Sequence, residues 1–238
     1  MTAVGISAVI PVYNDRDALA RAIPASIEAL AAITDAFELI IAEDGSTDGS
    51  ADLVRGWEER DARVRLLHAD ERLGRGRALE RAFAGASGSI VCYYDVDLAT
   101  SMEHLPALVG AIRDGYDIAT GSRLLPRSDA VRTPSRNVAS RAYNFLVRLV
   151  LKSRLYDHQC GFKAFSRARL LPLLSRVAAP HWFWDTEVLV RAQREGYRIA
   201  EIPVVWRPGV GTTVRANDVL SMGSDIIRLW WQLHVEKN

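Results

Sequence analysis

The sequence predicts an α/β fold in which a mostly parallel sheet is covered by helices on both faces. Three observations predict it. Short apolar runs alternate with helical segments of about 11 to 17 residues, the pattern of strand–helix–strand units. The joins between them are short. Three polar clusters, Tyr13-Asn14-Asp15, Glu43-Asp44-Gly45 and Asp95-Val96-Asp97, each follow an apolar run. In such sheets ligands bind outside the carboxyl ends of the strands, so the three clusters should converge on one edge.

Residues 6–13 are a short apolar run ending in polar residues and read as a buried strand. Leu19, Ile23, Ile27 and Leu30 give residues 17–33 helical apolar spacing. Residues 37–42 form a second apolar run, which opens into Glu43-Asp44-Gly45-Ser46-Thr47-Asp48-Gly49-Ser50 and a helix to about Glu59. Strands are expected at 64–68, 90–94 and 117–120, and helices at 74–86 and 105–114. Beyond Ser122 the alternation loosens. Residues 137–152 read as an amphipathic helix, with Phe145, Leu146, Leu149 and Val150 beside Arg141, Arg148 and Lys152. A strand is expected at 161–165, a helix at 186–195 and a strand at 199–206. Residues 218–235 close the chain as a helix containing Ile226, Ile227, Leu229, Trp230 and Trp231.

With 238 residues, 49% hydrophobic and 25% charged, the chain suits one α/β domain with a sizeable core. Cys92 and Cys160 make no disulfide framework, and a reducing, cytosolic setting is expected. No run reaches the length of a membrane span, and the N-terminus lacks a signal-peptide pattern. The net charge of +1 conceals an asymmetry: residues 121–176 hold twelve Lys or Arg and only two acids, Asp129 and Asp157. So basic a segment is either a set of solvated helix faces or a surface that meets something anionic.

The chemistry-bearing residues follow. Two carboxylates at i and i+2 on a bending strand end, Asp95 and Asp97, can face a divalent cation and a ribose hydroxyl. A solvated turn carries the same pair, so the other clusters give it weight. Asp44 can accept a hydrogen bond from a nucleobase, Gly45 permits a tight turn, and Ser46, Thr47 and Asp48 can cap the next helix. Gly74-Arg75-Gly76-Arg77 opens a helix, where backbone N–H groups can approach an anion; its spacing fits neither a P-loop nor a dinucleotide fingerprint.

In this order, Pro11-Val12-Tyr13-Asn14, Glu43-Asp44-Gly45-Ser46-Thr47-Asp48 and Asp95-Val96-Asp97 resemble the family 2 glycosyltransferases of the GT-A fold. Gly121-Ser122-Arg123, Asp157-His158-Gln159-Cys160-Gly161-Phe162-Lys163, Trp184-Asp185-Thr186-Glu187 and Glu201-Ile202-Pro203-Val204 resemble the dolichyl-phosphate glucose and mannose synthases. The Gln-Cys-Gly-Phe-Lys stretch is more similar to the glucose-type branch.

The resemblance implies a single domain over 1–238, with a nucleotide-sugar-binding half at 1–122 and an acceptor- and membrane-facing half at 123–238. It implies Pro11, Tyr13 and Asp15 around the base and ribose, and Asp44 on the base. Asp95 and Asp97 would handle ribose, diphosphate and Mg²⁺ or Mn²⁺, with Asp97 the direct ligand. Mannose-type relatives place a Gln two residues on; this chain has Ala99. Arg123 and Arg136 match positions that hold the diphosphate or the acceptor phosphate, which a planar guanidinium suits. Arg215 stands near a position where relatives carry a lysine. Asp185 and Glu187 are candidates to orient the acceptor or act as base. The implied reaction moves a hexose, glucose favoured, from a UDP-hexose to dolichyl or polyprenyl phosphate with inversion. GDP-mannose, UDP-GlcNAc and a soluble or polymeric glycan acceptor are the alternatives. The expected location is peripheral, on the cytoplasmic face of a membrane. Residues 137–152 and the Trp230-Trp231 helix are then expected in the interface. No nucleic-acid partner is expected: a non-catalytic module binding anionic surfaces has no need of acids at three strand ends.

Overall fold

The computed structural model describes residues 5–208 and 216–235, and of residues 216–222 only the backbone. One seven-stranded sheet runs through it. In chain order the elements are β1 (Ile6–Val12), α1 (Arg16–Ala31), β2 (Phe37–Glu43), α2 (Ser50–Glu58), β3 (Val64–Leu67), α3 (Arg75–Ala84), β4 (Ile90–Tyr94), α4 (Leu105–Arg113) and β5 (Ile118–Ser122). There follow β6 (Asp129–Ala130), α5 (Pro134–Leu151), β7 (Phe162–Ser166), α6 (Arg167–Leu174), α7 (Trp184–Arg194), β8 (Ile199–Pro203), β9 (Val205–Trp206) and α8 (Ala216–His234).

The sheet order is β3-β2-β1-β4-β7-β5-β8, and β6 and β9 make a separate two-stranded sheet. All neighbours in the large sheet are parallel except β7, which is antiparallel to both β4 and β5. Strand alternation feeds two cores. Val9, Ile40, Val91 and Tyr93 face a cluster with Phe83, Val147, Leu173, Trp184 and Leu229, under α3 and α5 to α8. Ile10, Ile41, Cys92 and Tyr94 face the opposite cluster with Leu19, Ile23, Val54 and Leu108, under α1, α2 and α4.

Several sequence expectations are corrected. The expected strand at 199–206 divides at Pro203-Val204: β8 lies in the large sheet and β9 in the small one. Pro203 has no N–H to extend the ladder. The helix α6 was not expected; it is short and carries Pro172 inside it. Helix α5 begins three residues before the expected Asn137: Pro134 fits the first turn, where its missing N–H costs nothing, and Thr133 Oγ1 accepts from the Arg136 amide. Helix α7 likewise starts at Trp184.

Candidate functional site

The carboxyl ends of β1, β2 and β4 lie side by side, so the three polar clusters do share one edge. Asn14, at φ +50°, stitches two of them: its amide donates to Ser46 Oγ at 2.9 Å and its Oδ1 accepts from Thr47 N at 2.8 Å. Buried Glu43 accepts from the Ser46 amide and meets His68 Nδ1. Asp44 is buried and accepts from the amides of Leu73 and Gly74 at 2.9 and 2.8 Å. Its carboxylate thus holds the segment that passes over Gly45, where a side chain would strike Glu71 and Arg72 backbone atoms. The Arg72 guanidinium stands 4.1 Å over the exposed Tyr13 ring. Pro11 is buried in β1, and Asp15 precedes α1.

Because β7 runs antiparallel, its amino end reaches this same edge. There Asp95 N donates to Gly161 O at 3.1 Å. The Asp95 carboxylate packs onto Gly161 so closely that an added Cβ would stand 1.9 Å from Oδ2. On its other side Asp95 Oδ1 receives Arg75 Nη2 at 2.8 Å. The following turn folds tightly: Leu98 N bonds Asp95 O, Ala99 N bonds Asp97 Oδ1 at 3.0 Å, and Leu98 sits at φ +48°. A branched residue in that left-handed region is strained, and such strain collects at functional turns. The turn is tied to β9 by Arg207 N to Ala99 O and Ser101 N to Val205 O. The Asp97 carboxyl is raised above the ordinary carboxylate range by partial desolvation, and further by the charges of Asp95 and Asp15. A cation at this corner lowers that repulsion. Among the described residues no group of three or more His, Cys, Asp or Glu can hold a metal. Asp95 and Asp97 supply carboxylate oxygens of the hard type that a divalent ion prefers.

Asp185 lies beneath the cleft and is 2% exposed. Its carboxylate meets Arg75 Nη1 at 2.7 Å, Lys163 Nζ at 2.9 Å and the Tyr93 hydroxyl. Burial alone would raise its pKa, but Lys163, Arg75 and Tyr93 hold it below the usual range. A carboxylate so paired is a poor base. Glu187 is equally sealed and accepts from Ala178 N, Ala179 N and Arg191 Nε. The expected open helix start at Gly74-Arg75-Gly76 is corrected as well: Gly76 N donates to Pro180 O, and a side chain at Gly74 would strike His181.

Arg123 donates two parallel hydrogen bonds to buried Asp157, Nε to Oδ2 at 2.7 Å and Nη2 to Oδ1 at 2.8 Å. It lines a cavity of about 400 Å³ with Arg132, Arg141, Asn137 and Ser128. Burial, and then Arg123, push Arg132 down to about 10. Arg132 lies 5.3 Å from the Trp206 ring, and Trp206 also lines the small hollow of Asp95 and Asp97. The sequence had not singled out Arg132, which was submerged among the basic residues of 121–176, and had placed Arg141 only on the basic face of the 137–152 helix. Arg136 lies in the exposed first turn of α5. Arg215 lies outside the described residues.

Helices α5 and α8 are neighbours. Val147 and Leu151 of α5 and Ile226, Leu229 and Leu233 of α8 are buried in the core. Phe145 (61%), Leu149 (64%) and Trp231 (57%) are exposed, so both helices serve the core with one face and present apolar side chains with another. Among the described residues no helix is long and apolar enough to cross a membrane.

Residues 7–171 match glycosyl transferase family 2. Glycosyltransferase AglD of Haloferax volcanii is 51% identical over 236 residues, covering 98% of this chain but 38% of the relative. The chain thus spans well under half of AglD. A dolichyl-phosphate beta-glucosyltransferase of Drosophila melanogaster is 29% identical, covering 94% of this chain and 74% of the relative. The solved glucosyl-3-phosphoglycerate synthase of Mycobacterium tuberculosis, in complex with Mn²⁺, UDP and glucosyl-3-phosphoglycerate, superposes with a TM-score of 0.66. At 22% identity, over 96% of this chain and 79% of that one, this likeness concerns the fold. The chain belongs to glycosyltransferase family 2, has the GT-A fold, and is an enzyme of the glycosyltransferase type.

Proposed function

We propose that this family 2 domain moves a hexose, glucose favoured, from a nucleoside diphosphate sugar to the phosphate of a dolichyl or polyprenyl lipid, inverting the anomeric centre. The observation that supports the reading is the arginine-lined cavity of Arg123, Arg132 and Arg141, linked to the Asp95–Asp97 turn by Trp206, which neighbours Arg132 and lines the hollow at that turn. A cationic cavity near paired carboxylates suits a phosphate acceptor near a metal-assisted donor. The names of the relatives agree in kind: one is a dolichyl-phosphate glucosyltransferase, and the solved relative carries UDP and a phosphorylated product.

On this reading Pro11, Tyr13, Asp15 and Asp44 receive the nucleotide, a UDP-hexose favoured over GDP-mannose. Asp97, oriented with Asp95, would ligate Mg²⁺ or Mn²⁺, which screens the charge of the diphosphate leaving group. Arg123 and Arg132 hold the acceptor phosphate in line with the anomeric carbon, with Arg141 and Arg136 adding charge around it. A phosphate monoester is already anionic near neutral pH, so it needs orientation and screening more than a base. That suits an Asp185 sealed away from the cleft. The exposed apolar residues of α5 and α8, with Arg148 and Lys152 beside them, favour a lipid acceptor at the cytoplasmic face of a membrane over a soluble one.

The test is purified protein with Mn²⁺ or Mg²⁺, a polyprenyl phosphate, and UDP-glucose, UDP-GlcNAc or GDP-mannose in turn, with the lipid product read by mass. A glucosyl phospholipid from UDP-glucose is expected. Transfer from none of the donors, or equal transfer to a glycan without lipid, would overturn the reading.

A further inference from the structure

Asp95 is held by a chain of ion pairs that runs down to the sheet. Arg75 is 13% exposed in its side chain and bridges Asp95 at 2.8 Å and Asp185 at 2.7 Å. Its guanidinium also lies 5.2 Å from the Tyr93 ring and 5.5 Å from the Trp182 ring. Burial works against its charge, but Asp95 and Asp185 more than offset that and raise its pKa well above the usual value. Asp185 is fixed in turn by Lys163 and Tyr93, residues of the adjacent strands β7 and β4. Lys163 is fully buried and its ammonium also donates to Cys160 O. The chain from sheet to site is thus Tyr93 and Lys163, Asp185, Arg75, Asp95. Gly161 closes the other side of Asp95, leaving its carboxylate little freedom to turn.

We propose that Arg75 is a positioning residue, anchored by Asp185, that fixes the Asp95 carboxylate for the cation and nucleoside diphosphate. This rests on the reading of Asp95 and Asp97 given above. The four charges Arg75, Lys163, Asp95 and Asp185 sum to zero, which allows a clean separation of positioning from mere charge balance. Arg75→Gln leaves the cluster one negative charge in excess. Arg75→Gln with Asp185→Asn restores neutrality but leaves Asp95 without its guanidinium.

The experiment is calorimetric titration of UDP, and separately GDP, in the presence of MnCl₂, with thermal unfolding recorded for each protein. Arg75→Gln is expected to weaken nucleotide binding about tenfold to a hundredfold, as loss of a group that orients a metal ligand does. The double variant is expected to regain thermal stability and not binding. Arg75→Lys keeps the charge and loses the fork, so it is expected to fold like the wild type and bind with intermediate strength; it carries the test should Arg75→Gln fail to fold. Wild-type binding in Arg75→Gln or Arg75→Lys, or recovery of both stability and binding in the double variant, would overturn the proposal. A wild-type protein that binds neither nucleotide with Mn²⁺ would overturn the reading beneath it, and the proposal with it.

Discussion

The donor edge and the arginine cavity are opposite in charge and alike in construction. At the first, Asp97 is raised by desolvation and by Asp95 and Asp15; at the second, Arg132 is lowered to about 10 by burial and by Arg123. Like charges are crowded at each place, and on the proposed reading each crowd would be relieved by a ligand of the other sign. Charges that serve the fold are matched instead: Asp185 has three partners, and Asp157 is held far below the carboxylate range chiefly by Arg123, a guanidinium it shares with the cavity. The difference teaches how to tell a binding charge from a structural one. Burial alone does not separate them; a balance of partners does.

The largest expected break in this symmetry is Asp97→Asn. Losing a metal-ligating charge costs several kcal/mol of transition-state stabilisation, about a thousandfold in transfer rate. Lipid-phosphate binding and the unfolding temperature should stay as in the wild type; a fall in either would show that Asp97 supports the fold.

Acid should separate the two regions next. His158, next in sequence to the Arg123 partner Asp157, lies between Asn144 Oδ1 at 2.7 Å and Ser153 Oγ at 2.7 Å. Burial pushes it down to about 4, so the imidazole is neutral in the fold. Its folded value lies below its unfolded one of about 6.5. The stability it protects is therefore complete above pH 6.5 and lost as pH falls towards 4, at most about 3 kcal/mol. Hydrogen exchange at 153–160 should quicken over this range before that of β1 and β2, and His158→Gln should flatten the pH dependence of unfolding. Equal response of both regions would contradict this.

Arg132→Gln should raise the half-saturating acceptor concentration about tenfold to a hundredfold, the worth of one charge-assisted contact, with nucleotide binding unchanged. It should also remove the alkaline limb of acceptor affinity, since that charge is lost as pH rises through about 10. Nucleotide–metal affinity should instead fall on the acid side, as Asp97 takes up its proton. The smallest effect belongs to Trp231→Ser. Vesicles containing anionic lipid should bind it a few-fold less tightly, with soluble nucleotide affinity intact; unchanged vesicle binding would remove α8 from the membrane surface.

Much of the donor edge was legible because β1, β2 and β4 are parallel and buried, so apolar runs announce both the strands and their polar ends. Asp44 and Asp95 stood where those runs stop. The partners were not legible. Arg75 read as the entry to a helix, and nothing local in the sequence links it to Asp185, 110 positions away. The direction of β7 was equally hidden, since residue alternation is the same in a parallel and an antiparallel strand. Helix α6, short and with Pro172 inside it, went unseen, and Arg132 and Arg141 were indistinguishable by composition from their basic neighbours. What escaped was the pairing of charges across the fold, a property of topology rather than of residue order.

The antiparallel strand β7 has a consequence for the order of assembly. It fills the gap between β4 and β5, so both strands wait for a segment about 70 and 45 residues further along the chain. Until residues 162–166 are synthesised, β4 carries an unpaired apolar edge, and Asp95 lacks the glycine it rests on. A nascent chain ending near β5 thus holds its nucleotide loops without a closed sheet, and presents a sticky strand to its neighbours. The glycine beneath Asp95 and the cover for the edge of β4 arrive with one short segment, residues 161–166.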